Sequence, residues 1–136
     1  MVVSPRNSDP SITTDTLLWR RIIKKFLHRN DDGSWRPQSA AFIDDVDKQL
    51  SVHIAELTTD VEVMDGYPED SLAEITAGMF LQLGYTVSYD PTDRYPAHAV
   101  VCPPPDLTGR QIVKNAQNVA KNIVRWVVLR PPDDGA

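Results

Sequence analysis

His98 stands in the stretch DPTDRYPAHAVV, between a proline-rich turn and a short apolar run. An imidazole at such a junction could act as a general base, with Asp90 or Asp93 close enough in sequence to orient it. His53, in LSVHIA, becomes its partner if the two segments pair as neighbouring strands. Two histidines with Cys102 or an aspartate would also offer zinc or iron ligand types. Their separations match no metal motif, so neither a metal site nor a cofactor is assigned. The plainer reading of His98 is a side chain that hydrogen-bonds the turn backbone and fixes a hairpin. The plainer reading of His53 is a strand residue facing water or a helix.

A second constellation is Trp35-Arg36-Pro37-Gln38-Ser39. Pro37 pushes Arg36 towards extended backbone. A guanidinium held there could receive a phosphate or carboxylate in a fork, and Ser39 at a helix start would add donors. Trp35, Arg36 and Ser39 are therefore the candidate anion-binding residues. The competing reading is a tryptophan that anchors a loop on the core with the arginine stem packed over it. Ser39 lacks the Gly-x-Ser-x-Gly context of a nucleophile elbow.

Other chemistry finds little support. There is no Walker loop, Gly-x-Gly-x-x-Gly, His-Glu-x-x-His or Cys-x-x-Cys. Cys102 is the single cysteine, which excludes an intramolecular disulfide. Arg20, Arg21, Lys24, Lys25, His28 and Arg29 form a basic stripe, read as the solvated face of an amphipathic helix. Asp44, Asp45 and Asp47 form an acidic cluster, read as a polar turn. The net charge of -5 and pI near 5.0 argue against nucleic acid as a partner.

These side chains must be positioned by a chain of 136 residues, 41% hydrophobic and 24% charged, which suits one soluble domain. No apolar run is long enough to span a bilayer. MVVSPRNSDPSITTD lacks the pattern of a secretory leader, so a cytoplasmic location is expected. Residues 1–13 and 131–136 are expected to be tails flanking one domain over 14–130.

Within that domain, Leu18, Trp19, Ile22, Ile23, Phe26 and Leu27 pair at four-residue spacing, which predicts a helix begun by Asp15. NDDG predicts a turn, and Ser39 a short helical turn after it. Leu50, Val52 and Ile54 alternate with Ser51 and His53, which predicts a half-buried strand with His53 on its opposite face. Pro68 to Leu83 carries the apolar stripe Leu72, Ile75, Met79, Phe80 and Leu83. It predicts a helix ended by Gly84, with Gly78 allowing close packing. Tyr85–Tyr89 and His98–Cys102 predict an antiparallel hairpin. Thr108 and Gln111 form a capping box for a last helix, whose apolar face runs from Ile112 to Val127 before Arg130 and Pro131. The expected fold is α+β, a small antiparallel sheet of three or four strands with helices packed on one face.

The ordered set W-R-P-x-S-A-A-F (Trp35 to Phe42), Ser51-Val52 and D-P through P-A-H-A (Asp90 to Ala99) resembles a group of small bacterial proteins of unassigned activity. These are associated with mobile or defence-related gene neighbourhoods. The resemblance spans roughly residues 17–101 and omits the last helix. It implies an accessory or conflict-system role and no catalytic residue.

The leading functional expectation is a small cytosolic accessory protein that binds another protein. The alternative is a small enzyme acting on a phosphorylated or nucleotide-like substrate, with Arg36 binding the anion and His98, helped by His53, handling the proton. Convergence of Trp35, Arg36, Ser39, His53 and His98 in one concave pocket would favour the enzyme. Scattering would favour the interaction protein.

Overall fold

The structure is a computed structural model that describes residues 12–43 and 49–132. The acidic cluster Asp44, Asp45 and Asp47 and most of both expected tails lie outside the described residues. Ile12, assigned to the tail, is buried in the main apolar cluster.

One sheet has six strands: β1 (Leu17–Ile22), β4 (Leu50–Ile54), β5 (Ser71–Thr76), β6 (Thr86–Tyr89), β7 (His98–Cys102) and β8 (Arg125–Val128). Their order is β6-β7-β4-β1-β5-β8, and every pairing is antiparallel. β2 (Leu27–Arg29) and β3 (Trp35–Pro37) form a separate hairpin across the NDDG turn. The helices are α1 (Asp60–Met64), α2 (Ala77–Leu81) and α3 (Gly109–Lys121). None is long and apolar enough to cross a membrane.

The α+β class stands, but the sheet is larger than three or four strands. Three segments expected to be helical are extended. The first is β1, whose alternation is hidden because both of its faces are covered. Leu18 and Ile22 enter the main cluster, while Trp19 joins a second cluster on the opposite face. A strand covered on both sides need not alternate apolar and polar residues, so paired apolar residues mimic helical spacing. Consequently Arg20 and Arg21 do not form one basic face. Arg20 donates to the carbonyls of Ala41 and Ser51, and Arg21 to that of Val63.

The second is β5, within the expected helix Pro68–Leu83. Only Ala77–Leu81 of that span is α-helical. Glu74 is buried in the sheet, on the strand between β1 and β8. The expected ending does occur. Gly84 at φ 83 donates to the Leu81 carbonyl and Tyr85 to that of Phe80, a Schellman pattern. Gly78 also allows the expected close approach, because a Cβ there would lie 2.8 Å from the Thr14 carbonyl oxygen.

The third is β8, read as the end of the last helix. The Thr108–Gln111 capping box is present, but α3 stops at Lys121. The β-branched and aromatic residues Val124, Trp126, Val127 and Val128 then favour extended backbone. The Val124 N–H bonds to the Glu74 carbonyl, which starts the pairing with β5.

The helices are not confined to one face. Ala116, Val119 and Ala120 of α3 and Phe80 of α2 pack in the main cluster. Val63 and Met64 of α1 pack on the other face with Trp19 and Leu72.

Candidate functional site

The sheet register brings the two histidines together. His53 on β4 pairs directly with His98 on β7, and on its other side with Trp19 on β1. Trp19 pairs with Glu74, and Glu74 with Arg125. Paired residues point to the same face. One row of polar and aromatic side chains therefore crosses five strands, on the face opposite Val52 and Ile54. Trp19 Nε1 donates to Glu74 Oε2 at 2.8 Å, and Arg125 Nε donates to Glu74 Oε1 at 2.9 Å. That half of the row is satisfied internally.

At the other end, His98 Nδ1 lies 2.8 Å from the Asp90 carbonyl oxygen and 3.4 Å from Asp90 Oδ2. A carbonyl can only accept, so Nδ1 carries a proton. His98 thus ties strand β7 to the last residue before the turn, as the plainer reading of its sequence context holds. Replacing it by glutamine should lower stability by about 1 kcal/mol, the net value of one hydrogen bond. A urea unfolding curve checks this, and an unchanged midpoint would contradict the structural role.

His53 is 2% exposed. Burial, reinforced by the neighbouring charges of Arg21 and His98, pulls its pKa from 6.5 down to about 4. It is therefore a neutral ring at neutral pH. Its Nε2 lies 3.5 Å from Arg21 Nη1, and its Nδ1 has no hydrogen-bond partner among the described residues. The ring meets Tyr95 edge-on at 5.1 Å and His98 at 5.9 Å. Arg21 lies 3.9 Å over the Tyr67 ring. Arg21, Tyr67 and Tyr95 were not among the residues singled out in the sequence as candidates with the histidines. Strand parity would have placed Arg21 beside His53, but the helical reading of residues 17–27 concealed it.

The anion-binding candidates are elsewhere. Arg36 and Ser39 line a cavity of about 510 Å³ together with His28, Gln38, Gln117, Ala120 and Lys121. Gln117, Ala120 and Lys121 belong to α3, so this cavity lies on the main-cluster side of the sheet. Trp35 does not line it. Its carbonyl accepts from Trp126 Nε1 at 2.9 Å, and its side chain packs against the core. Ser39 begins a single 3-10 turn, Ser39–Phe42, too short to present a helix dipole.

The structure therefore unites His53 with His98, and Arg36 with Ser39, and puts the sheet between the two pairs. Cys102 ends β7 four positions after His98, about 13 Å along the strand. Among the described residues, no group of three or more His, Cys, Asp or Glu side chains gathers as a metal site. Compared with protein-family models, curated proteins and solved structures, the chain matches none.

Proposed function

We propose that the protein is a small cytosolic accessory protein that acts by binding another protein. Its place in a bacterial conflict or defence system rests on the sequence resemblance alone. The observation that carries the binding role is the outer strand β8. Among the described residues it pairs with β5 only, so the backbone on its other side has no strand partner. Three of its four residues, Trp126, Val127 and Val128, are apolar, and its one charge, Arg125, is engaged by Glu74 rather than standing guard on the open edge. Trp126, Val127 and Val128 are half-exposed, and Val124 and Leu129 beside them are 51% and 39% exposed. An extended apolar segment of a partner can add to such an edge through main-chain hydrogen bonds, with alternate side chains supplying specificity.

The enzyme reading needs the Arg36 anion site and the His98 base to meet one substrate. Their positions on opposite sides of the sheet weigh against it, as does a His53 that stays neutral until well below pH 7.

The test is co-purification from bacterial cells, comparing the wild type with the double variant Val124→Lys, Leu129→Lys. Both positions are exposed, so each change should alter stability by no more than about 0.5 kcal/mol. The expected result is one protein retained in near-equal amount by the wild type and lost with the variant. Retention indifferent to the two lysines would count against the β8 edge as the docking surface.

A further inference from the structure

We propose that the cavity between the β2–β3 hairpin and α3 binds a polar small molecule through a phosphate group, with Arg36 and Lys121 as the charged contacts. This stands independently of the β8 interface.

The first argument is charge. The whole chain carries -5, yet among the described residues the cavity is lined by Arg36, Lys121 and His28 with the neutral donors Ser39, Gln38 and Gln117, and by no carboxylate. Among the described residues, no ion pair engages Arg36 or Lys121. In an acidic protein, two uncompensated cations on one concave surface create a local field that favours an anion.

The second argument is orientation. Arg36 Nε donates to Asn30 Oδ1 at 3.0 Å. Asn30 is itself fixed, because its Nδ2 donates to Ser34 Oγ at 2.9 Å and its backbone N–H to the Ser34 carbonyl. The turn thus holds the guanidinium by one nitrogen, and its terminal pair has no hydrogen-bond partner among the described residues. A planar fork suits two oxygens of one phosphate. His28, opposite Arg36 across the hairpin, and Lys121 supply further donors to the same anion.

The third argument is size and lining. A volume of about 510 Å³ falls in the range of sites that hold whole small molecules rather than a bare ion. Among the described residues its walls are mostly hydrogen-bonding groups, with Ala120 the one apolar residue. The part of the ligand beyond the phosphate should therefore be polar, as in a sugar phosphate.

Titration calorimetry of the full chain tests this with inorganic phosphate, ribose 5-phosphate, ribose and acetate. Ribose 5-phosphate should bind one site per chain, more tightly than inorganic phosphate, and ribose and acetate should not bind measurably. Arg36→Gln and Lys121→Gln should each weaken ribose 5-phosphate by about tenfold or more, the value of a charge-assisted contact. Lys114→Gln, on the same helix but outside the cavity, should leave it unchanged. Lys121 is exposed, so its variant keeps the test sound even if Arg36→Gln disturbs the hairpin. Absence of saturable ribose 5-phosphate binding, acetate binding as tight as phosphate, or an affinity indifferent to Lys121→Gln would each overturn the proposal.

Discussion

Phe80→Ala should lower the unfolding free energy by about 3–5 kcal/mol, the usual cost of truncating a fully buried phenylalanine. Phe80 is 1% exposed and is the largest fully buried side chain among the described residues. It sits on α2, a helix of five residues that could not persist without tertiary contacts. Its ring meets Tyr85 at 5.9 Å and packs in the cluster that joins α3 to the sheet. Truncation opens a void where α2 packs on β5 and β6. Chemical denaturation of the two proteins checks the value, and a difference below about 1 kcal/mol would mean that the site collapses without cost.

The second large effect is acid lability centred on His53. Its folded pKa is about 4 against an ordinary 6.5, because the buried ring resists a charge. In the unfolded chain the imidazole takes up a proton near pH 6.5, whereas in the folded chain it does not until about pH 4. The stabilisation is therefore complete above pH 6.5 and is lost as pH falls towards 4. From His53 alone, linkage gives a loss of about 2 kcal/mol by pH 5 and about 3 kcal/mol by pH 4. His53→Gln removes the titrating group. The pH 7 to pH 5 drop in unfolding free energy should be smaller in this variant by about 2 kcal/mol, whatever its starting stability. An identical drop in both proteins would show that other groups carry the acid sensitivity.

Local signals in the sequence did well where polar residues stand at alternate positions, where two strand-like runs lie close together, or where an end was marked by capping chemistry. β4 followed from alternation, the β6–β7 hairpin from the short connection between two strand-like runs, and α3 began at the Thr108–Gln111 box as expected. The central strands β1 and β5 were obscured for a shared reason. They lie between other strands with both faces covered, and β5 buries even Ser71 and Glu74. No polar residue at every second position marks such a strand, and the apolar residues that remain can imitate a helical stripe. β8 was obscured by continuity, since Ile123 and Val127 extend the apolar spacing of α3 past its true end.

The candidate site was legible in part. The sequence makes the approach of His53 to His98 conditional on their strands pairing, which they do, and Asp90 meets His98 more closely through its backbone carbonyl than through the carboxylate expected to orient it. Arg21 was out of reach while its segment was read as a helix. The separation of Arg36 from the histidines was also out of reach, because it depends on which side of the sheet α3 covers, a long-range fact that no local pattern carries.

The central claim is that β8 is the docking edge. Amide hydrogen exchange on the chain alone and in complex with the co-purified partner tests it most directly. Exchange should slow across Val124–Leu129 on binding, with the outward-facing amides of β8 most affected. Slowed exchange confined to the His53–His98 face or to the Arg36 cavity, with β8 unchanged, would contradict it.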